Sequence, residues 1–595
     1  MATALPNLSL HEGTDRSNID LSKIVEQWLA SLDQALQQNP GASLPTGLFL
    51  EQESFWRDIL SVSWDRRTKH GQDAILEYLR LSQHGLGSFR TVASGALAPT
   101  LMDMGGMIFL QSGFSFENVF GSGTGLVRLV NVGPSEWQAW TVYTQLEELK
   151  EQSTSNASKD NNDLQVLVIG GGHCGLMLGA RFQKSGLSYR IIESSDRIGD
   201  SWRRRYRSIK LHTPTWTDEF PYLPFPKDYP DLLEQDQISD WQEHYAKQLD
   251  LKVDLKSTVK HAAWDESKKL YRVTVDGPQG QYVLTPRHIV LATGIFTSTP
   301  LPIEFPGVDS FKGQVYHSVQ HTSARDVPDI QNKRVVIVGA STSAHDVAED
   351  FVNAGAKGVS LVQRGPIFSF TMEAIVAVVL GAFRHLPIEE LDLMLNSFPT
   401  AIVRTMSPFQ TQAMASFDKD LLDGLEKQGL SVLRGDDGVG FAEHQFVKLG
   451  HWYIDQGASQ MIVDGKIKIL RDGKGVTGFH RDGVVLGNGT EAPADVVVLA
   501  TGMKTGDSKI EEIFGANVKE QVGNLAGLDS EQEFRGWWRP TGFPGLWYLP
   551  GNFMWGRQFS HFLALQIKAI EDGQNPVYWE ENIANHAQMA SVAGQ

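Results

Sequence analysis

The spacing of hydrophobic residues changes period several times along this chain, and each change predicts an element. Over residues 19–36 apolar side chains recur at helical spacing (Leu21, Ile24, Val25, Trp28, Leu29, Leu32, Leu36), with Asp20 placed to cap the helix. Residues 48–79 read as a second helical stretch. Residues 115–133 and 136–149 alternate as antiparallel strands do, so helices followed by a curved sheet predict a small α+β unit over 19–150. Residues 1–18 are polar and are expected to be a disordered tail. Residues 151–162 carry no aliphatic or aromatic side chain except Ala157, the composition of a linker.

Beyond the linker the pattern becomes short apolar β-branched runs that end in glycine. Val166, Leu167, Val168 and Ile169 run into Gly170, Gly171 and Gly172, and Gly175 opens a run with helical spacing. The order strand, tight turn, helix repeats at residues 333–350, where Gly339 is followed by Ser341, Thr342, Ser343 and Ala344. Two further buried-strand patterns, HIVLATG at 288–294 and DVVVLATGM at 495–503, end in Thr-Gly turns at Gly294 and Gly502. The longest apolar helix candidate, residues 374–383, is shorter than the about 20 residues a bilayer needs.

Glycine-rich turns between a strand and a helix have a specific chemistry. The first glycine allows the turn, the second lets backbone approach a pyrophosphate, and the third lets helix and strand pack closely, with the anion on the helix N-terminus. Gly170, Gly172 and Gly175 fill those roles in the first unit, and Cys174 lies within the turn. Glu193 ends the next strand, a little more than the about 20 residues downstream where an acid for a ribose hydroxyl belongs. In the second unit Gly339 is kept, Ser341 replaces the middle glycine with a hydroxyl donor, Thr342 and Ser343 follow in the turn, and Arg364 stands where the first unit has Glu193. A carboxylate repels a 2′-phosphate and a guanidinium pairs with it. The contrast predicts one non-phosphorylated dinucleotide and one NADPH.

Composition narrows the class. At 595 residues, with 41% hydrophobic and 21% charged, the chain is of ordinary globular composition and divides into three or four units. A net charge of −17 gives no support to nucleic-acid binding. A single cysteine, Cys174, excludes a disulfide framework, a Cys-based zinc site and a dithiol redox pair. The N-terminus has no signal pattern, so a cytoplasmic location is the default expectation.

Phe311, Gly313 and His317 form FxGxxxH between the two units, with His321 where an aromatic would complete the motif. With Gly199-Asp200-Ser201-Trp202, the two Thr-Gly turns, and a C-terminal segment holding Gly551, Asn552, Arg557 and Ser560, residues 163–575 resemble the flavin-dependent monooxygenase family. The form around Leu211-His212-Thr213-Pro214 is similar to its YUCCA-like branch. Phe55-Trp56-Arg57-Asp58, Trp64, Arg67 and Gly71, with the later strands, resemble a nuclear transport factor 2-like cone, and the whole resembles a fungal-type fusion of the two.

The resemblance implies an α/β fold of two doubly wound dinucleotide-binding domains behind the cone. It sets an FAD domain at 163–328 and 485–595, interrupted by an NADPH domain at 329–484. It implies FAD and NADPH as cofactors, dioxygen and a small organic substrate as partners, and oxygen transfer through a flavin hydroperoxide. Trp202, with arginines 203–205 beside it, Thr213, Gly294, Gly502, Asn552 and Ser560 join the candidate cofactor contacts. No catalytic residue or metal site is assigned. Three matters stay open: His317 as a structural or a proton-transferring residue, the cone as a pocket or a structural or homodimer-forming module, and a monooxygenase or a peroxide-releasing oxidase.

Overall fold

The computed structural model describes residues 5–37, 47–82, 84–151, 164–381, 384–576 and 578–579; the expected linker at 151–162 lies outside them except for Glu151. The N-terminal unit runs α1 (Leu21–Gln37), β1 (Phe55–Ile59), β2 (Arg66–His70), α2 (Gln72–Leu81), β3 (Gly87–Thr91), β4 (Thr100–Met104), β5 (Met107–Glu117), β6 (Gly121–Asn131) and β7 (Trp137–Leu149). Its seven strands form one sheet in the order β2-β1-β7-β6-β5-β3, with β4 on β5. Asp20 caps α1 by accepting from the Lys23 amide at 3.0 Å, and Val25, Trp28, Leu29 and Leu32 face the sheet. Bare glycines at 123 and 125 let Phe116 and Phe114 lie across β6, where a Cβ would come within 2.3 and 2.2 Å of the rings.

Two expectations fail in this unit. Residues 48–79 are not one helix: β1 and β2 precede a helix that starts at Gln72. The apolar pattern misleads because Arg57 and Asp58, 5% and 0% exposed, are buried charges inside a strand. The segment 5–18 is not a disordered tail. Leu8 is 6% exposed, packed with Leu50, Phe55 and Phe109, and its carbonyl accepts from the Ile108 amide at 2.7 Å.

The first dinucleotide unit is a parallel five-stranded sheet. β8 (Val166–Ile169) lies between β9 (Tyr189–Ile192), which pairs with β10 (Val253–Asp254), and His288–Leu291, which pairs with Leu546–Tyr548. Helix α3 (His173–Ser185) follows β8 and packs on the last helix, Phe553–Glu571. A second parallel sheet has the order Gln314–His317, Val496–Leu499, Arg334–Val338, Gly358–Gln363, Ile467–Arg471.

This order moves the expected boundaries at 328 and 485. Gln314–His317 and Val496–Leu499 were expected in the FAD domain, but they are strands of the second sheet. The chain crosses between units at the antiparallel pair Phe296–Pro300 and Met503–Thr505. The physical cause is register: Val496 to Leu499 match Val335 to Val338 residue for residue. Each Thr-Gly turn therefore closes a strand of a different sheet.

The N-terminal unit is fastened to the first dinucleotide unit by buried ions. Glu533, fully buried, accepts from Arg57 Nε at 2.6 Å and from Thr68 Oγ1, with Arg66 Nε at 2.8 Å. Burial would raise its carboxyl, but the charges of Arg57 and Arg66 overcome that and hold it at about 2. Its stabilisation is full above the ordinary carboxyl range and is lost as pH falls toward 2. Glu533→Gln leaves two buried guanidinium groups without their acid and should cost about 3–5 kcal/mol in denaturant unfolding at pH 7.

No helix is long and apolar enough to cross a membrane among the described residues. The apolar candidate at 374–383 forms a short helix, Met372–Ile375, and one wide turn, Val376–Leu380; residues 382–383 lie outside the described ones.

Candidate functional site

The first turn is built as its glycines require. Gly170 has φ +113° and a Cβ there would lie 2.5 Å from the Ala292 carbonyl oxygen. At Gly175 a Cβ would lie 2.0 Å from the Gly170 oxygen, so α3 sits directly on the turn. Gly172 is different. It is the N-cap of α3 with extended backbone, no side chain caps the helix, and nothing lies within 4 Å of where its Cβ would be. An uncapped helix N-terminus facing open space fits an anion. Glu193 reaches this turn: its Oε2 accepts from the Gly171 amide and its Oε1 from the Ser195 amide, both at 2.7 Å.

Three segments meet at the turn. Trp202 packs on Phe553 at 5.9 Å, and Phe553 stacks on His173 at 4.3 Å. His173, which the motif reading missed, donates to the Gly551 carbonyl at 3.0 Å; burial pushes its imidazole down to about 4, so it is neutral. Asn552 caps the last helix by accepting from the Trp555 amide at 2.9 Å. The neighbouring arginines divide. Arg203 is tied to Asp200, Asp240 and Glu243, whereas the Arg205 guanidinium lies 5.4 Å from the Trp202 ring.

Other expected contacts are turned elsewhere. The Thr213 hydroxyl donates to Asp218 at 2.5 Å, and burial lifts that carboxyl to about 6. Ser560 is fully buried about two turns beyond Asn552, and its hydroxyl donates to the Arg557 carbonyl at 3.0 Å. Cys174 is buried, its thiol 3.8 Å from the Gly551 oxygen and pushed up to about 12 by burial. Its backbone lies in the turn while its side chain packs toward the last helix, where Gly556 allows the approach. We expect native protein at pH 8 to leave a thiol reagent unreacted and to take up one equivalent once unfolded.

The second turn repeats the first with one change. Gly339 has φ +131°, and its Cβ would lie 2.5 Å from the Ala500 oxygen. No side chain caps the Thr342–Asn353 helix, which starts after Ser341. The Ser341 hydroxyl, expected to face phosphate, donates instead to the Trp452 carbonyl at 2.9 Å, as does that of Thr342. Ser343 lies half-buried in the same first helical turn. Ala344, 1% exposed, takes the third glycine's place in the packing.

Arg364 stands exposed at the end of the Gly358–Gln363 strand. Lys448 and His451, which the motifs could not reveal, lie near it. The His451 imidazole is pushed down by burial and then by the charges of Lys448 and Arg364. Among the described residues no carboxylate forms an ion pair with Arg364 or Lys448. A cluster of positive charge without its own acid fits a phosphate.

The two units touch beside these turns. Tyr206 donates to Asp346 Oδ2 at 2.6 Å, and His212 Nε2 lies 3.7 Å from the same oxygen, joining the loop after Trp202 to the Thr342–Asn353 helix. His317 Nδ1 accepts from the Val319 amide at 3.2 Å, closing the turn that follows its strand. His321 is held between the Tyr316 hydroxyl at 3.0 Å and Asp350 at 2.9 Å. Gly294 and Gly502, with φ +83° and +94°, end the two Thr-Gly turns; the Gly294 carbonyl accepts from Tyr548 at 2.8 Å.

The family model described as pyridine nucleotide-disulphide oxidoreductase matches residues 167–401. Indole-3-pyruvate monooxygenase YUCCA1 of Oryza sativa subsp. japonica is 28% identical over 345 residues, covering 57% of this chain and 77% of that one. Indole-3-pyruvate monooxygenase YUCCA6 of Arabidopsis thaliana is 28% identical over 346 residues, with 57% and 76% covered. Among solved structures, the open crystal structure of cyclohexanone monooxygenase superposes with a TM-score of 0.50 at 16% identity, covering 73% of this chain and 98% of that one, a likeness of fold. A dithiol mechanism is closed to a chain with one cysteine. In its two dinucleotide units the chain is thus similar in sequence to plant indole-3-pyruvate monooxygenases and similar in fold to cyclohexanone monooxygenase.

Proposed function

We propose that the chain is a single-component FAD- and NADPH-dependent monooxygenase that places one oxygen atom of dioxygen in a small organic substrate. The observation that carries the reading is the pairing of two uncapped, glycine-opened helix N-termini on separate parallel sheets, one beside Glu193 and the other near Arg364, Lys448 and His451. FAD fits the first turn and NADPH the second. When bound, they supply the redox and dioxygen chemistry, which side chains cannot.

The chain's own residues bind, orient and exclude water. The backbone at Gly172, His173, Cys174 and Gly175 would receive the pyrophosphate of FAD, and Glu193 would exchange its two amide donors for ribose hydroxyls. Trp202, Phe553 and His173 make an aromatic wall against solvent. Ser341, Thr342 and Ser343 contribute backbone at the second turn, since the hydroxyls of the first two are engaged on Trp452. Gly294 and Gly502 shape the turns between the units, and Asn552 caps the last helix of the first.

The N-terminal unit has the helix and strand content of a nuclear transport factor 2-like cone, and we assign it no catalytic acid or base. Asp58, among the described residues its one deeply buried carboxylate with a raised pKa, is saturated by Thr144, Tyr78 and the amides of Ser61 and Val62. The test is turnover under ¹⁸O₂ with NADPH, beginning with indole-3-pyruvate, the substrate named for the plant relatives, then amines, sulfides and ketones. One labelled oxygen in product per NADPH consumed is expected. Stoichiometric labelled peroxide with every compound, and no labelled product, would favour an oxidase.

A further inference from the structure

The face of the N-terminal sheet turned away from α1 and α2 is covered by a piece of the same chain. Helices Ile388–Asn396 and Thr400–Phe417, inserted in the second dinucleotide unit, meet at a corner, residues 396–398, and this corner packs on that face. Arg128 on β6 is 1% exposed. Its guanidinium donates to the Ser397 hydroxyl at 2.7 Å and lies 3.4 Å from the centre of the Phe398 ring, with Gln111 and Thr141 taking its other protons at 3.0 and 3.2 Å. Arg57 donates to the Asn396 carbonyl from the same guanidinium that holds Glu533. Phe398 also meets Trp140 at 6.0 Å, and Ile402 and Met406 join Phe55, Phe109, Val130 and Trp140 in one apolar cluster. Farther along, Glu390 accepts from the Ala96 amide at 3.0 Å.

The opposite side of the corner is held by the first dinucleotide unit. Asp392 pairs with Arg557, and Asn396 donates to Gln558 at 2.9 Å, both partners on the last helix. The same Arg557 donates to the carbonyls of Thr217 and Glu219, in the loop that follows Thr213. The corner is therefore gripped from two sides by groups that belong to neither of its own helices.

We propose that the N-terminal unit is an intramolecular clamp whose outer sheet face carries a socket for the 396–398 corner, fixing the helical insertion of the second dinucleotide unit against the first. Among the described residues Arg128 has no carboxylate partner, a costly state for a cation removed from water unless its donors and its flat face are satisfied. Gln111, Thr141, Ser397 and Phe398 satisfy them here, so the corner completes the socket.

Hydrogen–deuterium exchange on the full chain tests it through paired variants. Phe398→Ala, changed on the corner, should raise exchange in β5–β7 of the untouched N-terminal unit about tenfold or more. Arg128→Gln, changed in the socket, should do the same for residues 388–417, while β8 and α3 keep their protection. A rise confined in each variant to its own side, or spread evenly over the chain, would overturn the clamp. A measurement that does not depend on variant folding uses a specific protease site placed within residues 152–160 of the wild-type sequence. After cleavage the two pieces should elute together on gel filtration at micromolar concentration; a separately eluting N-terminal piece would refute the proposal.

Discussion

Gly172→Ala should give a folded chain that purifies without flavin. The structure separates two consequences that a glycine motif usually merges. At Gly172 the backbone is extended, with φ −77° and ψ −175°, which alanine adopts freely, and no atom lies within 4 Å of the new Cβ. The unliganded fold therefore loses nothing, and its denaturant midpoint should move by less than about 0.5 kcal/mol equivalent. The methyl instead occupies the space in front of α3 where a pyrophosphate would approach backbone amides, and overpacking there should weaken flavin binding by about 100-fold or more. Absorbance at 450 nm relative to 280 nm checks it: a variant as yellow as the wild type would overturn the assignment of FAD to the first turn. Gly175→Ala is the control of opposite kind. Its Cβ would fall 2.0 Å from the Gly170 oxygen, so it should lose the fold as well as the flavin.

Arg364→Ala should raise the KM for NADPH by about 10- to 100-fold, the range given by losing charge-assisted hydrogen bonds of about 1.5–3 kcal/mol, and leave the KM for NADH nearly unchanged. The side chain is exposed at a strand end and pairs with no acid among the described residues, so the fold has little to lose from its removal. Lys448→Ala should shift the preference in the same direction by a smaller factor, because its charge reaches the same place from another segment. Steady-state kinetics with both nucleotides decide. An equal loss for NADPH and NADH would show that Arg364 reads no 2′-phosphate.

What the sequence determined by itself is local. A strand, a glycine turn and a helix lie within about 30 residues, and their chemistry depends on φ angles and on the absence of a Cβ, which residue identity states directly. The tight turns at Gly170, Gly172, Gly175 and Gly339 and the strand-end positions of Glu193 and Arg364 were legible for that reason, and the single cysteine excluded a dithiol pair by count. Tertiary structure decided whatever depended on a distant partner. The second Thr-Gly strand joined the second sheet because its register fits Arg334–Val338, more than 150 positions away. Ser341 turned from phosphate to the Trp452 carbonyl, 111 positions away, and Lys448 and His451 came beside Arg364 from a distant segment with no shared motif. β1 hid from its pattern because Arg57 and Asp58 are buried charges, affordable only where Glu533 and the Thr144 and Tyr78 hydroxyls meet them. Periodicity records which side chains are apolar; it carries no record of which buried charge a residue hundreds of positions away will satisfy.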